Sequence, residues 1–270
     1  MNPKFVLPMD DLPTLKRLEE VILSKRDVLF QKPKKGEGIV FIVSGGLDST
    51  TALARVLEEF DAEVYPLYIQ RGARAEDNEL ASLYHYLDIF SKKHLNLHEL
   101  EILTAEVPPA KYKQHIPEKQ LSTIGHTLRN SMLQSYAVQY AVSVGYRDNI
   151  RIRTVFTSLV PDDDFPHCRI IALRAETILT CIDGDDWSWQ VTSPLLEEDL
   201  WGWVDKTMSI KYAAEHGIDL SHTYTCTDSP TIACGVCPAC VERIKAFEDS
   251  GYPDPIEYKK SEGEKNVREG

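Results

Sequence analysis

The run Ile39-Val40-Phe41-Ile42-Val43-Ser44-Gly45-Gly46-Leu47-Asp48-Ser49-Thr50 decides the fold. Residues 39–43 are apolar without a break, and every one is β-branched or aromatic. Such a run fits a strand buried on both faces, as in a parallel sheet covered by helices. Two glycines then turn the chain, and without a Cβ at 45 and 46 the backbone can approach an anion closely. The Ser49 and Thr50 hydroxyls and the free amides of a helix starting near 48 point to one spot, where the helix dipole also favours negative charge. No lysine follows the second glycine, so the pattern is not the Walker loop.

Outward from this run, strand and helix alternate. Strands are predicted at 63–68, 98–103, 151–158 and 190–192, and helices at 48–60, 75–93, 127–145, 170–182 and 205–216. Repeated β-α units of this length imply an α/β fold with a doubly wound parallel sheet and right-handed crossovers. The predicted organisation is an N-terminal helical extension (1–36), a Rossmann-like domain (37–222), a metal-binding segment (223–256) and a charged tail (257–270). In the extension, Leu15, Leu18, Val21, Ile22 and Leu29 recur at roughly helical spacing, and Lys32-Pro33-Lys34-Lys35-Gly36 reads as a linker.

The 270 residues carry 30 basic and 42 acidic side chains, a net charge of −12. That balance repels phosphate backbones and argues against direct nucleic-acid binding. No apolar run reaches the length of a membrane span and the first residues lack a signal-peptide core, so a cytoplasmic protein is expected. Four of the six cysteines crowd together as Cys226-x7-Cys234-x2-Cys237-x2-Cys240. Four thiolates in one short stretch fit a closed tetrahedral Zn2+ site of structural kind, with no open position for chemistry. Cys168 and Cys181 stand apart and are expected to stay out of it.

The loop 44–50 resembles the pyrophosphate loop, SGGxDS, of the ATP pyrophosphatases, which cut ATP between the α and β phosphates. Together with the late run Cys237-Pro238-Ala239-Cys240-Val241-Glu242-Arg243, then Ala246-Phe247 and Gly251-Tyr252-Pro253-Asp254-Pro255, it resembles the 7-cyano-7-deazaguanine synthase family of the queuosine pathway. The resemblance covers roughly residues 38–255. It implies an adenine nucleotide alpha hydrolase-like fold, a four-cysteine zinc site and a C–N ligase that adenylates 7-carboxy-7-deazaguanine with ATP. Ammonia then gives the amide, and a second adenylation leads to the nitrile. It further implies that Ser44, Gly45, Gly46, Leu47, Asp48, Ser49 and Thr50 bind ATP with Mg2+. Lys206, in a segment like the family's SPL…K, contacts the pyrophosphate. Tyr68, Gln70 and Arg71 resemble the family's stretch after the second strand, and Arg129-Asn130 its Arg-Asn pair. Asp163, Asp164, Phe165 and Arg169 fall in an acidic, proline-containing loop that reads the deazapurine. Asp48, Arg71, Arg129 and Lys206 are the expected catalytic groups, and a homodimer is the expected assembly.

Several positions depart from the family pattern. Ile69 stands where the family has glycine, the histidine after Arg71 is missing, and Thr127-Leu128 replaces a Pro-Gly. The segment between Leu195 and Lys206 is longer and carries Trp201 and Trp203. Some related divergent members occur in anti-phage defence operons, and the resemblance to them implies an alternative, in which the deazaguanine carboxylate is joined as an amide to the N-terminal amine of a partner protein in place of ammonia. The pyrophosphate loop alone also fits a tRNA-modifying enzyme, which the net charge disfavours, or a nucleotide-binding scaffold without turnover.

Overall fold

The computed structural model describes residues 11–163 and 165–259. Its sheet has five parallel strands, β1 (Glu37–Ile42), β2 (Glu63–Gln70), β3 (Glu101–Thr104), β4 (Arg151–Phe156) and β5 (Gln190–Thr192), in the order β3-β2-β1-β4-β5. Val40 of β1 lies beside Tyr65 of β2 and Val155 of β4, both in parallel register. The chain winds outward from β1 to β3, then returns to the other side of β1 for β4 and β5. The switch point of this doubly wound sheet therefore lies between β1 and β4, at the strands' C-terminal ends.

Ten helices accompany the sheet among the described residues: α1 (Asp11–Arg26), α2 (Leu47–Glu59), α3 (Glu76–Ser91), α4 (Ala110–Lys113), α5 (Glu118–Thr123), α6 (Arg129–Arg147), α7 (Ile170–Asp183), α8 (Glu198–Trp201), α9 (Lys206–Glu215) and α10 (Pro238–Ser250). The unbroken apolar run of β1 has its reason here. Ile39 and Phe41 pack into a core with Leu53, Val56 and Leu57 of α2 and Leu83 and Phe90 of α3. Val40 faces the opposite core, with Ala137, Ala141 and Val144 of α6 and Cys181 of α7. Each such side chain, fully buried, stabilises the fold by about 1.5–3 kcal/mol. Phe156, at the end of β4, has its ring 5.9–6.0 Å from those of Phe30, Phe41 and Phe60.

The N-terminal extension is docked. Leu15 of α1 packs with Ile170, Leu173 and Leu196, and Ile22 is buried, while Val21 is exposed and Leu29 lies beyond the helix. Arg174 of α7, itself buried, donates to both carboxylate oxygens of buried Glu197 (2.7 and 2.9 Å), and Glu19 of α1 joins the pair at 3.3 Å. Just before the predicted linker, Gln190 of β5 exchanges side-chain hydrogen bonds with the backbone of Gln31, and within it Lys32 Nζ donates to the Glu59 carbonyl at 2.6 Å.

Two readings are corrected. The third strand begins at Glu101 rather than 98, because residues 97–98 reach β2 only through an isolated bridge at Leu97. The fourth stops at Phe156, two residues early, where the chain leaves the sheet to line a cavity. In the metal-binding segment 223–256, Pro238 at the first helical position starts α10, a helix not predicted from the sequence. Of the charged tail, residues 260–270 lie outside the described residues, as do residues 1–10.

Candidate active site

The loop after β1 folds by glycine chemistry. Gly45 has φ +70°, and a Cβ there would sit 2.5 Å from the Glu79 carbonyl oxygen, so no other residue fits without displacing α3. The Gly45 carbonyl is turned inward, accepting from Ser82 Oγ (2.7 Å) and Tyr224 N (3.0 Å). Ser49 Oγ accepts from Ser44 N at 3.0 Å, which closes the turn. No side chain caps α2, so its first amides are free for an anion. Ser49 and Thr50 are buried beneath the loop. The Leu47 side chain packs into a core with Ile210, Ala213 and Phe247, leaving only its backbone for a ligand.

Asp48 and Lys206 meet at this loop. Lys206 opens α9, whose preceding Asp205 caps it by accepting from Met208 N at 2.7 Å. Its Nζ donates to Asp163 Oδ1 at 3.1 Å and lies 3.5 Å from Glu242, 3.9 Å from Asp162 and 3.9 Å from Asp48. Burial disfavours the lysine's charge, but the four carboxylates outweigh it and raise its pKa, so it stays an ammonium. The reverse holds at Asp48. Burial pushes its pKa up to about 7 against the pull of Lys206, and its Oδ1 is buried with no hydrogen-bond partner. Four carboxylates around one ammonium leave an excess of negative charge that a cation would relieve.

Beside the loop, a cavity of about 260 Å³ opens at the switch point. The ends of β1 (Ile42, Val43, Ser44), β2 (Ile69, Arg71) and β4 (Thr157, Ser158, Leu159) line it, with Arg129, Asn130, Leu133 and Gln134 of α6. Arg71 Nη2 is steadied by Glu79 Oε1 at 3.3 Å, while Glu76 Oε1 accepts from the amides of residues 71–73. Arg129 has no carboxylate partner among the described residues; burial and the nearby Arg71 lower its pKa. Two cations lining one cavity call for an anionic ligand. Thr157 Oγ1 is buried there without a partner.

Not every expected residue faces the cavity. Tyr68 is 1% exposed and donates through its hydroxyl to Glu79 Oε2 at 2.6 Å, so it supports Arg71 from behind. Gln70 accepts from Thr104 Oγ1 on the neighbouring strand. Asn130 does line the cavity, with its amide donating to the His167 carbonyl, whereas Phe165 stacks on the His167 ring. Arg169 pairs with Asp11 of α1 at 3.1 Å. Asp163 acts electrostatically on both Asp48 and Arg129, between loop and cavity. Asp164 lies outside the described residues. Sequence reasoning missed Gln134, Thr157, Ser158, Asp162, Glu79 and Glu242. The two residues after β4 carried a usable signal, because the switch point adjoins that strand end; Glu242 carried none.

Cys226, Cys234, Cys237 and Cys240 bring their sulfurs within 4.8 Å of one another. Two sulfur pairs, 234–240 and 226–237, are 4.0 Å apart, close to the roughly 3.8 Å edge of a tetrahedron with ~2.3 Å metal–sulfur bonds. Backbone amides of Ser229 and Cys234 point at Cys226 Sγ, and those of Val236 and Cys237 at Cys234 Sγ, which favours thiolates. The four therefore fit a metal ion. Cys168 and Cys181 are buried elsewhere. Buried Arg243 holds this segment: its guanidinium donates to Asp254 (2.9 and 3.0 Å) and to Thr223 Oγ1 (2.7 Å). Among the described residues no helix is long and apolar enough to cross a membrane.

Comparison with known proteins gives a family match over residues 38–251, to the queuosine biosynthesis protein QueC. A 7-cyano-7-deazaguanine synthase from Chloroherpeton thalassium is 29% identical over 82% of this chain and 96% of its own length. The 7-cyano-7-deazaguanine synthase 1 of Colwellia psychrerythraea is 31% identical over 82% of this chain and 99% of its own. Among solved structures, the U34-tRNA thiolase NcsA from Methanococcus maripaludis with its 4Fe-4S cluster matches at 13% identity with a TM-score of 0.38, covering 89% of this chain and 72% of that one.

Proposed function

Because the chain belongs to the queuosine biosynthesis protein QueC family, we propose that it is an ATP-dependent C–N ligase of the 7-cyano-7-deazaguanine synthase kind, acting on 7-carboxy-7-deazaguanine. The observation that carries this reading is the cavity beside the phosphate loop, apolar at Ile42, Ile69 and Leu133 and cationic at Arg71 and Arg129. A flat heterocycle bearing one carboxylate matches that division.

The chemistry follows from the placement. The substrate carboxylate is ionised near neutral pH, so it needs no base to attack the α phosphorus of ATP. The carboxylate oxygen–phosphorus bond forms, the bond to the bridging oxygen breaks, and pyrophosphate leaves with that electron pair. Arg71 and Arg129 hold the carboxylate in line, while the loop 44–50 and Lys206 stabilise charge on the departing pyrophosphate. An amine then adds to the acyl adenylate carbonyl, AMP leaves, and the amine's proton passes to solvent. Asn130, Gln134 and Thr157 supply neutral polar groups to the heterocycle's edge. Asp48 and Asp163 are the groups to hold Mg2+, which would neutralise phosphate charge when ATP binds. The four cysteines would hold Zn2+ as a structural ion that ties α10, and so Glu242, to the loop side of the site.

The test is AMP and pyrophosphate release from purified protein with ATP, with and without 7-carboxy-7-deazaguanine and ammonia. Carboxylate-dependent release in wild type, lost in Arg129→Ala, supports the reading. No stimulation by the carboxylate rejects it. The product's mass then separates nitrile from amide, and a deazaguanine adduct on a co-expressed protein would identify a protein amine as the nucleophile.

A further inference from the structure

The histidine beside Arg129 has a geometry that the reaction above does not use. His167 Nε2 lies 3.2 Å from Arg129 Nη2. A guanidinium can only donate, so this nitrogen accepts, and the ring proton belongs on Nδ1. The Ile124 backbone accepts a hydrogen bond from the ring. The ring is also pinned. Phe165 lies nearly parallel to it (8° between planes, centroids 5.5 Å apart), and Gly125, at φ +70°, comes so close that a Cβ there would sit 2.8 Å from His167 Cε1. Asn130 Nδ2 donates to the His167 carbonyl at 3.2 Å, which ties the histidine's own backbone to α6.

We propose that His167 is a positioning residue that aims Arg129 into the cavity without itself cancelling the guanidinium's charge, which makes the site select an anionic substrate. The inference rests on the proposed function for the identity of that anion, but the contact itself does not. Most buried arginines are held by a carboxylate, as Arg174 is by Glu197 and Arg243 by Asp254. A carboxylate at 167 would fix Arg129 equally well and would also neutralise it. A neutral imidazole satisfies one guanidinium N–H and leaves the positive field for the ligand. The surroundings keep the ring neutral: burial, Arg129 and His126 all oppose a proton on it, against the Ile124 carbonyl and Asp163. A protonated ring would be a second cation with no lone pair for Arg129, so acid should release the arginine.

Two measurements test this, and only the second needs the proposed substrate. In the free protein, ring 15N shifts should show Nε2 of His167 unprotonated at neutral pH, and Arg129→Ala should raise the His167 titration midpoint by about one pH unit. A protonated Nε2, or no change in Arg129→Ala, overturns the proposal whatever the protein's activity. In kinetics, His167→Asp should raise KM for 7-carboxy-7-deazaguanine about tenfold or more, with a smaller change in kcat and little change in affinity for its neutral carboxamide. His167→Gln, a neutral acceptor, should restore most of the loss. Equal impairment in His167→Asp and His167→Gln, or an unchanged KM in His167→Asp, also overturns it. If the carboxylate is not a substrate at all, the proposed function fails while the nitrogen shifts still decide the contact.

Discussion

Replacing Asp48 by asparagine should make the protein more stable at high pH and inactive. Lifting the Asp48 pKa from 3.8 to about 7 means that the fold works against this carboxylate wherever it is ionised. The sign follows from linkage: an acid whose pKa is raised on folding binds its proton more tightly when folded, so stability falls as pH rises from 3.8 and levels off above about 7. At pH 8 the cost reaches about 4 kcal/mol, and at pH 5 it is about 2 kcal/mol, using about 1.4 kcal/mol per pH unit. Asparagine removes that cost but leaves an amide short of partners, a penalty of about 1–3 kcal/mol that does not depend on pH. Urea unfolding of both proteins at pH 8 and pH 5 should therefore show Asp48→Asn more stable by about 1–3 kcal/mol at pH 8, with the difference falling by about 2 kcal/mol at pH 5. A difference independent of pH would refute the reasoning. So would one that grows in acid.

Other perturbations have defined outcomes. Lys206 contributes in the opposite sense: its folded pKa is raised by the four carboxylates, so its stabilisation is full below the unfolded lysine pKa and is lost only in strong alkali. Lys206→Met should destabilise at pH 8 and less at pH 5, not through the lysine's own titration but because the Asp48 carboxylate that the ammonium offsets, with its pKa pushed up to about 7, is protonated there; equal loss at both pH values would contradict this. Glu197→Gln removes one member of a buried pair and should cost about 3–5 kcal/mol in urea unfolding. Leu128, 63% exposed, precedes α6 at φ +62°, so Leu128→Gly should stabilise by about 0.5–1 kcal/mol, the left-handed strain relieved less the extra chain entropy of glycine. Elemental analysis should find one zinc per chain, and Cys234→Ser should lose it along with several degrees of melting temperature; iron in place of zinc, or no metal, would refute the assignment.

The sheet was legible because β1 and its neighbours are apolar on both faces, and the glycine turn after β1 has few other uses. Strand ends were less so. Whether 97–100 or 157–158 continue a ladder depends on partners far off in sequence, and the apolar alternation does not stop where the hydrogen bonds do. Helix α10 went unread because its start coincides with the cysteine cluster, whose spacing dominates the local pattern. The glycine turn after β1 and the thiol cluster were legible as contiguous motifs. Glu242, Gln134 and His167 were not, since each reaches the site only through tertiary packing. The resemblance that flagged Thr127-Leu128 as a replaced Pro-Gly is answered by the backbone: position 128 keeps the positive φ that glycine would accept freely. Ile69, where the family has glycine, is buried and forms part of the cavity's apolar wall.

The central claim is that the substrate carboxylate attacks ATP at the α phosphorus. Running the reaction with 7-carboxy-7-deazaguanine labelled with 18O in its carboxylate, and weighing the released AMP, tests that claim most directly. If an acyl adenylate forms and an amine displaces AMP from the carbonyl, one labelled oxygen must travel with the AMP phosphate. Turnover that yields unlabelled AMP, or label in inorganic phosphate instead, would contradict the mechanism.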